Sequence, residues 1–525
     1  MRPTEAGART AAQLADAVRA GRTTALDAVR ASRSLDADID LGPSGLNAVL
    51  WQDADAAERA AAAVDARARE GGAMPLAGVP VVVKDNIATL DLPTTCGSRI
   101  LEGYVSPFEA TAVARLRAAG AVVVGKTNMD EFGMGSHSTN SIHGPVRNPL
   151  ALDGEPISAG GSSGGSAVAV VVGDADLALG TDTGGSVRLP ASYTGTVGYR
   201  PSYGMISRYG VFPYANSLDT VGFIAREVRP MLDLLVNTKL DEEHDAQDPT
   251  SLSAATRQRC AKACPPTLQD NAQLTVGIPL EYNIAELDPA IRRSWIEAAS
   301  ALEAQGAKIV PVSLPSTKEA LCAYYVIAVA EASSNLAKYD GVRYGVRAPG
   351  SDAAGDALYS ETRGSGFGDE VKRRILLGTY SLSSEAMDNY FIQAQKVRRL
   401  IRRDFDRVFR LANPLQDPEQ FDLSDMAEDT GLEDKRGPPQ VDFLLSPTTP
   451  SFAPKLRDVL ENSSTDAYMN DVFTVPASLA GLPAMSVPAR TDESRLPVGL
   501  QLIAQYWDDK RLLAMAERLK DLMHR

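Results

Sequence analysis

Residues Ala159 to Gly195 read AGGSSGGSAVAVVVGDADLALGTDTGGSVRLPASYTG. Two Gly/Ser clusters, Gly160 to Ser166 and Thr181 to Ser186, flank a small-residue helix and a short apolar strand. Glycine serves where backbone must come close to something or take a positive φ, at an entropic cost that a packed core does not require. Two such clusters so close together point to a site. Ser186 stands at a strand-to-turn-to-helix transition, after Asp182-Thr-Gly-Gly and before Val187-Arg188-Leu189-Pro190. The backbone N–H groups of Thr183, Gly184, Gly185 and Ser186 are free at such a turn, and a helix N-terminus adds positive potential. That is an oxyanion hole in outline. A Gly-rich turn capped by Ser186 accounts for the same residues equally well.

A serine hydroxyl is a weak nucleophile at neutral pH and needs a positioned base. The histidines, His137, His143, His244 and His524, all lie outside both clusters, and His137 and His143 flank a polar Ser/Thr/Asn loop, where they read as loop residues. A lysine can take the role if burial lowers its pKa. Lys84 follows the apolar run Val79-Pro-Val-Val-Val83, and Asp85 and Asn86 can hydrogen-bond around it. On the pattern alone, a strand-end lysine reaching out to solvent is the plainer reading. Neither cluster matches G-x-x-x-x-G-K-[ST] or G-x-G-x-x-G, which ranks a phosphate cradle low.

The bulk numbers bound the class. A chain of 525 residues with a hydrophobic fraction of 44% has the composition of a globular protein and can bury a large core. Its formal net charge of -14 argues against extensive phosphate-backbone binding by this chain alone, so any nucleic acid is expected on a partner. Cys96, Cys260, Cys264 and Cys322 are too few and too poorly spaced for a disulfide scaffold, which suggests a reducing compartment. Cys260 and Cys264 could seat a metal on a helix, yet no second pair or His cluster accompanies them, and no metal site is expected. No apolar run approaches the roughly 20 residues that span a bilayer. The runs Ala167–Gly173 and Leu321–Ala330 read as buried core, and no membrane association is expected. The N-terminus mixes Arg2, Arg9, Arg19 and Arg22 with Glu5 and Asp16, a poor secretory signal and an ambiguous transit peptide.

Periodicity gives the rest of the architecture. A helical hairpin is predicted from Thr10 to about Arg33, with Gly21 between its arms and Thr23 or Thr24 as the second N-cap, then an Ala-rich helix from Asp53 to Glu70. Further helices are expected over Glu109–Ala119, Pro289–Gln305 and Ser381–Leu411, and strands over Leu76–Lys84, Ala121–Val124, Leu274–Pro279, Ala307–Val312 and Val441–Leu445. Such alternation indicates an α/β protein whose sheet is covered by helices on both faces. The polar stretch Asp241–Asp270 reads as surface, and Lys396, Arg398, Arg399, Arg402 and Arg403 as a solvated helix face. Asn413–Pro439, rich in Asp, Glu, Pro and Gly, reads as an exposed acidic insertion.

The motifs Lys84-Asp85-Asn86, Gly160-Gly-Ser162-Ser-Gly-Gly-Ser166 and Gly180-Thr-Asp-Thr-Gly-Gly-Ser186-Val-Arg188-Leu-Pro190-Ala, in that order, resemble those of the amidase signature family. The resemblance implies one domain over residues 1–525 built on a single large mixed β-sheet, with a helical N-terminal part at 1–70 and the signature core at 75–230. It implies a triad in which Ser186 is the nucleophile, Ser162 relays its proton and Lys84 is the base, with the oxyanion on Thr183, Gly184 and Gly185 and a cis peptide bond between Gly161 and Ser162. Three further stretches, Gly125–Gly135, Gly366–Ile375 and Tyr468-Met-Asn-Asp471 through Gly481-Leu-Pro483, are similar to a branch of the family that releases ammonia from glutamine as one component of a tRNA-dependent amidotransferase. For that branch the resemblance implies that Arg374 holds the glutamine α-carboxylate and Asp471 its α-ammonium, with Tyr325 nearby. A guanidinium fork reads a carboxylate and a lone carboxylate holds an ammonium, so the pair makes chemical sense. It also implies no cofactor in this chain, ATP and Mg used by a tRNA-binding B-subunit, a small third subunit, and charged tRNA reached through the partner. The acidic stretch and Ser136-His-Ser-Thr-Asn-Ser-Ile-His143-Gly look more like organellar than bacterial versions, which places the protein in the mitochondrial matrix, with the cytoplasm as the alternative. The competing readings are a free-standing amidase acting on another small amide, which Arg374 and Asp471 argue against, and a catalytically silent scaffold, which intact Lys84, Ser162 and Ser186 argue against.

Overall fold

The valine run that ends at Lys84 forms strand β2 (Pro80–Lys84), and every residue in it is buried. Successive side chains of a strand point to opposite faces, so complete burial means that both faces of the sheet are covered. The same holds for β3 (Val122–Thr127), β6 (Leu177–Asp182), β7 (Val197–Arg200), β8 (Thr220–Ala225), β11 (Phe443–Pro447), β12 (Ala484–Ala489) and β13 (Val498–Ala504). With β1 (Val49–Trp51), β9 (Thr275–Pro279) and β10 (Lys308–Val312) they make one 11-stranded sheet in the order β1-β3-β2-β6-β8-β7-β12-β13-β11-β9-β10. The sheet is mixed: β3, β2 and β6 are parallel, as are β11, β9 and β10, and the strands from β6 through β8, β7, β12 and β13 to β11 alternate in direction. A separate hairpin pairs β4 (Arg147–Leu152) with β5 (Glu155–Ser158). The computed structural model describes residues 10–34, 45–238, 243–265, 267, 268, 270, 273–349, 357–416, 440–461, 468–489 and 496–523. The expected acidic insertion therefore lies, beyond Gln416, outside the described residues, as does His524.

Several elements differ from the sequence expectation for identifiable reasons. The N-terminal part carries the predicted helices, Ala11–Arg19 capped by Thr10, Ala25–Ser34 and Ala54–Arg69 capped by Asp53, but Val49–Trp51 leaves the helical pattern to pair antiparallel with β3. The helix expected from Ser381 instead starts at Phe391 and ends at Val408, because Ser383 to Tyr390 close into turns through bonds such as Met387 N–H to the Ser383 carbonyl at 2.9 Å. Within it Arg398 faces inward rather than to solvent, donating to the Leu479 carbonyl at 2.8 Å and to Ser217 Oγ at 2.7 Å. The polar stretch after Asp241 includes the helix Ala254–Ala263, whose Arg257 and Cys260 are buried. The run Leu321–Ala330 lies in the helix Ala320–Asn335, which packs against the helices Asp369–Ser381 and Phe391–Val408. Among the described residues, the span around that helix, Pro315–Lys338, is the one long and apolar enough to cross a membrane, and half of its most apolar 18-residue window is buried within the fold.

Parallel pairing brings the C-terminal ends of β2 and β6 side by side, with Val83 opposite Leu179. The chain leaves β6 at Asp182 into the second Gly/Ser cluster and then the helix Arg188–Thr194. That turn is held by buried charge. Arg188 donates to Asp182 Oδ1 at 2.9 Å and Oδ2 at 3.0 Å, to the Thr474 carbonyl at 2.9 Å, to Gln501 Oε1 at 2.7 Å and to Ser478 Oγ at 2.8 Å. Arg200 adds a contact to Asp182 Oδ1 at 3.0 Å. Burial alone would raise the Asp182 pKa, but the two guanidinium groups outweigh it and hold the carboxyl well below its usual range. Removing one member of such a cluster strands the rest in a low-dielectric interior. Arg188→Ala is expected to lower unfolding stability by about 3–5 kcal/mol, read as the shift of a urea-unfolding curve; a loss under about 1 kcal/mol would show that the cluster does not anchor the turn.

Candidate active site

Lys84 is the last residue of β2 and is fully buried, so the solvent-reaching lysine is ruled out. Its Nζ donates to Ser162 Oγ at 2.8 Å, to Ser163 Oγ at 2.8 Å and to the Thr181 carbonyl at 3.4 Å. Burial lowers its pKa from 10.5 to about 7, against the opposing pull of Asp130, Asp182 and Asp219. A fair fraction of the amine is therefore neutral at physiological pH and able to accept a proton.

The first Gly/Ser cluster follows β5 and leads into the helix Gly164–Val172. The Gly161–Ser162 peptide is cis, as the family resemblance implies. A Cβ on Gly161 would lie 2.5 Å from the His137 N–H nitrogen and 2.7 Å from that of Ser138, so only glycine lets the two loops meet. Asp130 organises this region: its carboxylate accepts the N–H groups of Ser138, Thr139 and Asn140 at 2.8–3.0 Å, and its own N–H donates to the Ser162 carbonyl at 3.3 Å. The two clusters are tied by the Ser163 N–H, which donates to the Ser186 carbonyl at 3.1 Å. Both serines are buried, Ser162 1% exposed and Ser186 8%.

Among the described residues, the N–H groups of Thr183, Gly184, Gly185 and Ser186 donate to no other atom of the chain. They remain available to an incoming oxyanion. The turn is held from outside by Thr183 Oγ1, which donates to Asp219 Oδ1 at 2.7 Å, and it is enclosed by the Tyr324 ring and Thr474, which a Cβ on Gly184 or Gly185 would strike.

Asp471 stands beside the same turn: a Cβ on Gly185 would lie 3.3 Å from its Oδ1. Its Oδ2 accepts from Ser136 Oγ at 2.9 Å and Tyr325 Oη at 3.3 Å. Burial pushes its carboxyl up to about 7, against the Ser136 hydroxyl and the Arg374 guanidinium. Arg374 is buried and lies 5.5 Å from each of the Tyr214, Tyr325 and Tyr468 ring centroids. Its Nε donates to Glu370 Oε1 and its Nη1 to Tyr214 Oη, at 2.8 and 2.7 Å, while Nη2 donates to no described atom of the chain. An aromatic cage thus presents one end of a guanidinium, and Tyr325 spans from it to Asp471. Lys372 and Arg373, the neighbours that sequence alone could not separate from Arg374, are solvent-facing.

The sequence reading missed Ser163, Asp130, Ser136, Tyr214, Glu370 and Tyr468. Asp130, Ser136, Glu370 and Tyr468 fall within or beside the motif stretches, whereas nothing local to Tyr214 marks it. His137 is a loop residue, as expected, but a buried one, and burial lowers its pKa to about 4. Cys96 and Cys260 are buried free thiols, and among the described residues no group of His, Cys, Asp and Glu has the spacing of a metal site.

The chain belongs to the amidase family, whose sequence pattern, described as Amidase, matches residues 37–513. Among curated relatives, the A-subunit of the mitochondrial glutamyl-tRNA(Gln) amidotransferase of Fusarium vanettenii is 73% identical over 84% of this chain and 86% of its own length. The protein of the same name from Podospora anserina is 64% identical over 83% and 88% of the two chains. Of solved structures, the glutamyl-tRNA(Gln) amidotransferase A-subunit of Thermotoga maritima is 33% identical over 95% of this chain and 94% of that one, with a TM-score of 0.66. A crystal structure of an amidase superposes with a TM-score of 0.74 at 27% identity over 98% of this chain and 100% of that one.

Gly185 (φ +153°) abuts Thr474 Oγ1, so Gly185→Ala should displace the Thr183–Ser186 turn. Amide hydrolysis is expected to fall at least about 100-fold, the loss typical of a removed oxyanion donor, with the fold retained by circular dichroism. Activity within about threefold of the parent would place the oxyanion elsewhere.

Proposed function

We propose that the chain is the glutaminase component of a mitochondrial glutamyl-tRNA(Gln) amidotransferase. The observation that carries this reading is the buried lysine hydrogen-bonded to Ser162 together with an opposite-charge pair suited to a free amino acid, Asp471 beside Gly185 and Arg374 linked to it through Tyr325. A simple amide has no α-carboxylate or α-ammonium for that pair to bind. The identity of 73% to a curated mitochondrial A-subunit supports both the reaction and the compartment.

Glutamine binds with its α-carboxylate on Arg374 Nη2 and its α-ammonium on Asp471, which sets the side-chain amide over Ser186. Ser186 Oγ attacks the amide carbon; its proton passes to Ser162 as Ser162 gives its own to neutral Lys84. The oxyanion is held by the N–H groups of Thr183 to Ser186. Collapse of the tetrahedral intermediate returns a proton from Lys84 through Ser162 to the departing nitrogen, which leaves as ammonia. Water then attacks the Ser186 ester by the same relay and releases glutamate. The ammonia passes to a tRNA-binding B-subunit, held with a small third subunit, which uses ATP and Mg to amidate Glu-tRNA(Gln). A net charge of -14 on this chain is consistent with the charged tRNA being held by the partner.

Ammonia release from glutamine, measured with the assembled complex, ATP and Glu-tRNA(Gln), tests the reading. Ser186→Ala and Lys84→Met are each expected to reduce it by roughly 1,000-fold or more. Turnover near the parental rate in either variant would remove that residue from the mechanism. Acidity supplies a second test. Lys84 must be neutral to act, so kcat should fall as pH drops through about 7, and Asp471 must be ionised to hold the ammonium, so KM for glutamine should rise over the same range. Asp471→Asn is expected to raise KM and abolish its pH dependence while leaving that of kcat; a KM that still tracks pH in this variant would contradict the assignment.

A further inference from the structure

His137 belongs to none of the steps above, yet it is 4% exposed and lies where the Ser162 loop and the Asp471 turn meet. Its ring stacks on Tyr193, with centroids 6.4 Å apart and planes at 20°. Asn470 Nδ2 donates to His137 Nε2 at 3.1 Å. Burial keeps the ring neutral, so the proton sits on Nδ1 and is donated to Ser158 Oγ at 2.8 Å. Each of these partners leads to a reacting or binding group. Ser158 Oγ also accepts the N–H of Gly160 at 3.0 Å, two residues before Ser162. Asn470, whose Oδ1 accepts from Tyr193 Oη at 3.1 Å, immediately precedes Asp471. On the histidine's own strand of loop, the adjacent Ser136 donates to Asp471 Oδ2 at 2.9 Å.

We propose that His137 is a positioning residue that holds the ammonium-binding turn and the proton-relay loop in register, through Asn470 on one ring nitrogen and Ser158 on the other. The two nitrogens have separable tasks. The Nε2 side fixes the turn that presents Asp471 and so governs how well glutamine is held. The Nδ1 side fixes Ser158 and Gly160, and through them the approach of Ser162 to Ser186 and Lys84, and so governs the chemical step. The proposal rests on Asp471 being the ammonium site.

Two substitutions separate the tasks in the assembled enzyme. His137→Asn keeps a donor at the Nδ1 position and loses the acceptor toward Asn470. His137→Gln can place an acceptor near the Nε2 position and loses the donor toward Ser158. His137→Asn is expected to raise KM for glutamine roughly fivefold to tenfold at nearly constant kcat, and His137→Gln to lower kcat by a similar factor with KM within about twofold. Asn470→Ala should reproduce the KM effect and add little to it in combination with His137→Asn. Thermal unfolding of each variant checks that the chain is folded; should either histidine variant fail that check, Asn470→Ala alone decides, by raising KM or leaving it unchanged. Equal losses in both histidine variants with KM unmoved, or no change in either, would overturn the proposal. A rise in KM for Asp471→Asn without one for His137→Asn or Asn470→Ala would overturn the positioning role alone, whereas no rise for Asp471→Asn would overturn the substrate-binding reading beneath it.

Discussion

The amine of Lys84, taken entirely out of water at the end of β2 and given two serine hydroxyls to bond, is the constraint around which the rest of the site is arranged. Lowering a lysine pKa from 10.5 to about 7 corresponds to roughly 5 kcal/mol of differential solvation. A strand position flanked on both sides by β3 and β6 supplies that burial without a dedicated pocket. The cation that remains part of the time is stabilised by Asp130, Asp182 and Asp219, which also set how far the pKa falls. Each of these carboxylates has a second task in the backbone. Asp130 shapes the Ser138–Asn140 loop, Asp182 anchors the turn to Ser186, and Asp219 holds Thr183.

That double use explains why so much of the polar interior lies in one zone. Arg188 and Arg200 neutralise Asp182, and Arg188, through Thr474 and Gln501, ties the turn to the far half of the sheet. Thr474 in turn follows Asp471 and donates back to its carbonyl. The group that would read the substrate's ammonium and the turn that would hold its oxyanion are therefore parts of one rigid unit. The aromatic cage around Arg374 works differently: ring faces at 5.5 Å favour the cation while only Nη1 and Nε are spent, on the Tyr214 hydroxyl and Glu370, which leaves Nη2 for a ligand.

Much of this was legible in the sequence where a pattern has a local cause. The valine run before Lys84 and the two Gly/Ser clusters are short-range features; the structure places the run and the second cluster at the adjacent ends of β2 and β6, and hydrogen bonds from Lys84 to Ser162 and Ser163 bring the first cluster to them. The 11-stranded order was not legible, because β6 pairing with β8 and β12 with β7 depends on contacts far apart in sequence. Burial was the other gap. The pattern around Lys84 fits a solvent-reaching lysine as well as a buried one, and only the pairing of β2 between two strands decides it. Arg374 could not be told from Lys372 and Arg373 by composition, since which face of the Asp369–Ser381 helix turns to the pocket is set by the helix it packs on. The burial of His137 in its loop was not legible either, because its partners, Ser158 and Asn470, come from elsewhere in the chain.

Chemistry at this site depends on the state of one amine, and the ionisation of Lys84 can itself be measured. Lysine labelled with 13C at Cε, with the Lys84 signal assigned by its loss in Lys84→Met, would report the titration in the folded chain. A midpoint near 7 is the predicted result. A midpoint near the ordinary lysine value of about 10.4 would mean that the amine is a permanent cation and that some other group takes the proton from serine.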